Sequence, residues 1–368
     1  SASFTTMPPR ILLIGASGYI GGSTLSSLLR SHPSWDVTAI VRNEQQASAI
    51  HDKYPDITLS TVIGSLDTPG VLVSEAAKAS ITLQLANGDH DVGTDTILSA
   101  IASSTTPKSA RYYIHLSGGA TVLDLALAPG SPPSRSWDDV SDLSAILDLP
   151  ATQIHAAIEQ RIVSFGAAHS RNGLRTAIIS PPAVVGVGSG PVKKGAAYHV
   201  NMMMQRKKAF VVGQGLNRFD MAHVMDVADA IVTLVEAACE ELETQYANTP
   251  STSSKAHWND KGYYFLTSDW ETPDKATYVK TAQSLMRMRS IPLDDGVDYL
   301  TPDEATSLHP FGTIIFGGNL KIQGKRIREK LGWKASSIRW EDALKEEIEN
   351  EISRQASGEV LGVGFGRE

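Results

Sequence analysis

Three glycines spaced three apart, in Gly15-Ala16-Ser17-Gly18-Tyr19-Ile20-Gly21, stand between a short apolar run, Arg10–Gly15, and a stretch of helical spacing, Gly18–Arg30. A strand, tight turn and helix in this order suit one kind of chemistry. The first glycine turns the chain out of the strand, the second lets backbone N–H groups approach a pyrophosphate, and the third lets the helix lie close to the sheet. The helix N-terminus adds partial positive charge for the phosphates. In this context the motif predicts dinucleotide binding. The end of the next strand chooses the dinucleotide. An acid there would hold a ribose 2′-OH, whereas an arginine accommodates a 2′-phosphate. The chain reads Ile40-Val41-Arg42-Asn43, with no acid until Glu44. NADP(H) is expected, with Arg42 as its discriminating contact.

A second pair of chemistry-bearing residues, His155 and Glu159, falls within a predicted helix over Ala151–His169. Spacing of four puts both side chains on one helix face. A carboxylate beside the imidazole would favour its charged form, raise the His155 pKa and orient the ring. Histidine is also the commonest general acid–base group near neutrality. The competing expectation is a surface ion pair facing solvent or a second subunit. Tyr112 and Tyr113, adjacent on one strand, are expected to pack. Tyr198 is a lesser candidate phenol, and Met202–Met204 reads as core or lid. His223 and Asp226 read as a turn and cap, and Asp89, His90 and Asp91 as a solvated loop, not a metal site.

The elements that must position these groups alternate. Strands are predicted at Arg10–Gly15, Asp36–Val41, Ile57–Ile63, Ile81–Ala86, Arg111–Leu116 and Leu174–Ile179, with helical stretches at Asn43–Lys53, Val71–Ser80 and Thr94–Ser103 between the early ones. The βαβαβα order implies an α/β fold with a doubly wound parallel sheet. Residues 9–185, completed by 224–268, are expected to form the dinucleotide-binding domain. Residues 186–223 and 269–352 are expected to form a smaller substrate lobe, and 353–368 a C-terminal tail.

Composition excludes several classes. The 368 residues are 42% hydrophobic and 20% charged, which excludes a disordered or collagen-like chain. A net charge of −7 argues against a nucleic-acid partner. A lone cysteine, Cys239, forms no internal disulfide and no thiol metal site. No apolar run reaches the roughly 20 residues of a bilayer span, and Ser1–Arg10 lacks the order of a secretory signal. A cytoplasmic location, no membrane and no metal are expected.

With GASGYIG at Gly15–Gly21, HLSGG at His115–Gly119, IISPPAVVG at Ile178–Gly186, HVMDVADAI at His223–Ile231 and KLGW at Lys330–Trp333, the chain resembles the extended or atypical short-chain dehydrogenase/reductase superfamily, epimerase-like or NmrA-like, over roughly Pro9 to Asn350. The resemblance implies a Rossmann fold and a homodimer through helices flanking the sheet, Ile97–Ser103 and Ala151–His169. It implies that Ser117 binds the substrate oxygen. It also implies a tyrosine followed four residues later by lysine, which this chain lacks: no tyrosine has a lysine four residues on. His155 then stands for the tyrosine as proton donor and Glu159 for the lysine, accepting ribose hydroxyls.

The candidate cofactor contacts are Gly15, Ser17, Gly18, Tyr19, Ile20 and Gly21. To these are added Arg42, Ser65, Leu66, Ala86, Asn87 and Pro182. The expected activity is hydride transfer from NADP(H) to a carbonyl or imine-like group of a small apolar molecule. A redox-neutral isomerase, dehydratase or cyclase on the same scaffold, and a non-catalytic NADP(H)-sensing regulator, stay open as alternatives.

Overall fold

The computed structural model describes residues 8–358 except 56, 58, 107–108, 194, 196 and 247–254. From the N-terminus, β1 (Arg10–Ile14), α1 (Tyr19–Ser31), β2 (Asp36–Val41), α2 (Glu44–Lys53), β3 (Leu59–Ile63), α3 (Pro69–Lys78), β4 (Ile81–Gln84), α4 (Asp91–Ser104) and β5 (Arg111–Leu116) alternate as the sequence predicts. A longer excursion carries β6 (Trp137–Asp138) and α5 (Leu143–Leu147) before α6 (Ala156–His169), β7 (Leu174–Ser180) and β8 (Ala183–Val185). Then come α7 (Tyr198–Arg206), β9 (Ala209–Val212), β10 (Met221–His223), α8 (Val224–Tyr246) and β11 (Tyr263–Phe265). The C-terminal part holds α9 (Lys275–Met288), β12 (Val297–Leu300), α10 (Pro302–Leu308), α11 (Gly312–Gly317), β13 (Ile322–Gln323), α12 (Arg326–Leu331) and α13 (Trp340–Ser357).

Seven strands form one sheet in the order β11-β7-β5-β4-β1-β2-β3, and every pairing is parallel. Such a sheet is covered on both faces, which is why its strands read as unbroken apolar runs. Alternation along β1 feeds two cores: Ile11 and Leu13 pack with Leu25 and Leu28 of α1 and Val227 and Ile231 of α8. Leu12 and Ile14 belong to the opposite core, with Leu72 of α3, Ile97 and Ile101 of α4, and Ile158 and Ile162 of α6. The fold is thus the expected α/β, doubly wound one. A third apolar cluster gathers Met203 and Met204 with Phe210, Val279, Phe316 and Ile348, so the methionine run is core. Because all seven strands point one way, their carboxyl ends share one edge. Strand order reverses between β4 and β1, and that reversal opens the crevice where such sheets take ligands.

Two expectations need correction. The helix expected from Ala151 begins at Ala156: Gln153 N donates to Pro150 O and Ala156 N to Gln153 O, which closes tight turns, and Gln153 Nε2 is anchored on Leu123 O at 2.9 Å. The expected tail begins as helix, because α13 continues to Ser357 and ends on Gly358 at φ +72°; residues 359–368 lie outside the described residues. Among the described residues no helix is long and apolar enough to cross a membrane.

Candidate active site at the carboxyl edge of the sheet

The glycine turn has the geometry a pyrophosphate needs. Gly15 adopts φ +97°, and a Cβ there would meet Leu85 C at 2.7 Å and Ala86 N at 2.8 Å. Gly18 N donates to Gly15 O at 2.9 Å, tightening the turn. A Cβ on Gly21 would lie 2.1 Å from Gly15 O, so only glycine lets α1 approach β1 this closely. Gly18 caps α1 without a side-chain hydrogen bond, and no acid occupies its first turn. The N–H groups of Tyr19, Ile20 and Gly21 therefore head a helix whose first turn carries no acid of its own. This bare cradle fits a dinucleotide phosphate. The Tyr19 side chain, however, turns away from it: its hydroxyl donates to Gly186 O at 2.6 Å, and burial raises its pKa.

The other cofactor candidates follow strand ends on the same edge. Arg42 follows β2 and is exposed; among the described residues it makes no ion pair, while its N donates to Gln46 Oε1. Ser65 and Leu66 follow β3, with Ser65 N donating to Thr68 Oγ1 and Leu66 buried. Ala86 and Asn87 follow β4, and both are tied to Gln84: Ala86 N donates to its Oε1, and its Nε2 donates to Asn87 O. Pro182 lies buried in the bend between β7 and β8.

Ser117 follows β5 and is half-buried. Its hydroxyl donates to Glu159 Oε1 at 2.5 Å. Glu159 is only 1% exposed, one turn into α6. From β11, the Tyr263 hydroxyl reaches both Glu159 carboxyl oxygens at 3.2 Å and also Ser180 Oγ at 3.2 Å. Burial pushes the Glu159 carboxyl up to about 7, against the opposing pull of Ser117, His155, Thr121 and Tyr263. Burial and the neighbouring carboxylate hold the Tyr263 phenol well above its ordinary pKa.

His155 and Glu159 do not form the expected pair. His155 precedes α6 in left-handed backbone, φ +63°, and among the described residues no hydrogen bond or ion pair joins it to Glu159. Its Nδ1 instead meets Asp89 Oδ1 at 2.7 Å. Its Nε2 lies against Gly118, where a Cβ would come within 2.9 Å. The expected solvated loop thus has structure: Asp89 holds His155, His90 Nδ1 accepts from Gly93 N at the start of α4, and Asp91 pairs with Arg161. Among the described residues no group of three possible metal ligands converges. His115, buried behind the site between the Tyr113 hydroxyl and Gly88 O, is pushed down to about 4 by burial and stays neutral.

Tyr112 is buried with its hydroxyl on Glu241, Tyr113 is buried on His115, and Tyr198 stacks edge-on against His309. His223 holds Glu346 and Asp226 accepts from Ser336 N, both as scaffold. Sequence reasoning missed Asp89 as the partner of His155, and Tyr263, Thr121 and Ser180 around Glu159. The one signal for Tyr263 is its position in a strand whose two adjacent tyrosines must face opposite sides.

The chain is similar to several known proteins. Residues 154–246 match the model of the NAD dependent epimerase/dehydratase family. The oxidase ucsJ of Acremonium sp is 26% identical over 338 residues, covering 89% of this chain and 93% of that protein. Among solved structures, dTDP-glucose 4,6-dehydratase of Bacillus anthracis in complex with NAD covers 95% of this chain and 98% of its own, at 13% identity and a TM-score of 0.64. UDP-glucuronic acid 4-epimerase of Bacillus cereus, in complex with NAD and UDP-4-deoxy-4-fluoro-glucuronic acid, covers 94% and 99%, at 13% identity and a TM-score of 0.62. The epimerase-like resemblance and the Rossmann fold are both borne out.

Proposed function

We propose that this chain, built on the scaffold of the NAD dependent epimerase/dehydratase proteins, is an NADP(H)-dependent oxidoreductase acting on a carbonyl or imine-like group of a small apolar molecule. The observation that carries the reading is the Asp89–His155 pair, set against Gly118 on the same sheet edge as the bare phosphate cradle. The backbone of Gly15, Ser17, Gly18, Tyr19, Ile20 and Gly21 holds the pyrophosphate in this reading, and Arg42 faces the 2′-phosphate. Ser65, Leu66, Ala86, Asn87 and Pro182 line its path along the strand ends. A nicotinamide bound there would supply hydride to the substrate carbon. Ser117 hydrogen-bonds the substrate oxygen, and His155 gives that oxygen its proton while Asp89 fixes the ring. Residues 186–223 and 269–352 form the substrate side. The name of the Acremonium relative, an oxidase, supports redox chemistry.

A redox-neutral isomerisation, dehydration or cyclisation is the second reading, favoured by the buried Glu159, whose carboxyl is suited to holding a proton near neutrality. One assay separates the two. Protein mixed with NADPH or NADH and a panel of aldehydes, ketones, enones and imines is expected to consume NADPH, with NADH bound more weakly. Conversion of substrate without change in nicotinamide absorbance replaces the first reading by the second. Binding of NADPH with no conversion of any kind leaves a dinucleotide sensor.

A further inference from the structure

Ser117 has one hydroxyl hydrogen. In this structure that hydrogen goes to Glu159 Oε1, so Ser117 turns only lone pairs toward the crevice. A carbonyl oxygen arriving there needs a donor and finds none on Ser117. If Glu159 carries a proton, the carboxyl can itself donate to Ser117 Oγ across the same short contact, and the Ser117 hydrogen is released toward the substrate. Tyr263 reinforces the arrangement. Its phenol stays protonated, and its hydroxyl lies 3.2 Å from both Glu159 oxygens and from Ser180 Oγ, so its one hydrogen stabilises the carboxylate alongside that of Ser117.

We propose that Glu159, held by Tyr263, is a positioning residue that decides whether Ser117 offers a hydrogen or a lone pair to the substrate oxygen. The proposal rests on the reading of Ser117 as the residue facing that oxygen. Protonated Glu159 sets the site for reducing a carbonyl, and ionised Glu159 sets it for accepting the hydrogen of an alcohol to be oxidised. This differs from the role expected of Glu159 toward ribose hydroxyls, because its carboxylate is buried behind Ser117.

Few charges compete for control of this group. From the turn before α6 comes His155, with Asp89 behind it, and β5 contributes the neutral His115 and the hydroxyl of Tyr113. From β11 comes Tyr263. Asp91 and Asp95 of α4 are engaged by Arg161 on the outer side of α6, and Asp260 and Lys261 adjoin Asn259, which faces Gly166 near the far end of the helix. No lysine or arginine pairs with Glu159 among the described residues.

The test reads Glu159 in two independent ways. In the reductive direction, the alkaline fall of kcat/KM in the unsubstituted enzyme is expected to exceed that of Glu159→Gln by one proton, because glutamine offers a donor and an acceptor that do not titrate. Tyr263→Phe removes a hydrogen bond to the carboxylate and is expected to move the corresponding midpoint upward by about one pH unit. Infrared titration of the protein bound to NADPH follows the protonated carboxyl band itself, assigned by its loss in Glu159→Gln. Ser117→Ala is expected to raise that band's midpoint as Tyr263→Phe does. Equal alkaline limbs in the unsubstituted enzyme and Glu159→Gln overturn the proposal, as does a Glu159 band indifferent to Ser117→Ala. Failure of the oxidoreductase reading shows itself separately, as absence of NADPH turnover while the infrared titration still reports on the Ser117–Glu159 contact.

Discussion

His155 sits in a backbone region that costs a non-glycine residue about 1 kcal/mol, and such strain is kept where surrounding contacts determine it. The contact here is Asp89, 66 residues away in sequence, which fixes the ring against Gly118. A surface histidine with no task gains nothing from that geometry. Replacing His155 by alanine is expected to lower kcat by about 10²–10⁴, with NADPH affinity within a few-fold of the original by calorimetry. Asp89→Asn is expected to lower kcat less and through the same step. Unchanged turnover in His155→Ala would return the residue to a surface role. At this scale the sequence was only half legible. The types and spacing singled out His155, Glu159 and Ser117, but the partners that were missed, Asp89 and Tyr263, lie 66 and 104 residues from His155 and Glu159. Tyr263 stands beside Tyr264 in a short apolar strand, and alternation says that the two phenols diverge without saying which reaches a carboxylate.

At the scale of elements, the turn from β1 to α1 was legible, because each glycine answers a local steric demand that two consecutive spacings of three announce. Gly21→Ala tests that demand most directly. The added methyl would sit 2.1 Å from Gly15 O and 2.7 Å from Gly15 C, both backbone atoms, so the helix must move off the strand. The expected cost is roughly 1–3 kcal/mol of stability by chemical denaturation, with NADPH affinity reduced by about tenfold or more as the N–H groups leave register. A variant as stable and as tight as the original would mean that the cradle does not hold the pyrophosphate. The start of α6 was not legible in the same way. The apolar stripe Ile154, Ile158 and Ile162 runs past the true boundary, and what stops the helix at Ala156 is a pair of turns anchored on Leu123, a residue of the distant β5 connection.

For the whole molecule, the sequence set residues 186–223 apart from the dinucleotide-binding domain without showing where the segment goes. It folds back onto α1. Beyond the Tyr19 contact to Gly186 O, Ser189 N donates to Ser23 Oγ, and Gly190 lies so close that a Cβ on Gly22 would meet its Cα at 3.1 Å. From the other side, Glu346 of α13 accepts from Val187 N and His223 Nε2. The first turn of α1 is therefore common property: its N–H groups face the proposed phosphate and its side chains seat the loop of the proposed substrate side. Whatever shifts that turn is felt by both ligands, and a coupling between two binding equilibria has the same size whichever ligand is added first. Tyr19→Phe removes the hydroxyl that pins the loop and leaves the backbone N–H in place. It is expected to shrink the factor by which substrate tightens NADPH, and by the same amount the factor by which NADPH tightens substrate, in calorimetric titrations run in both orders. The affinities for cofactor and substrate then behave as one quantity read from two ends, with the Tyr19 phenol among the contacts that set how strongly each end hears the other.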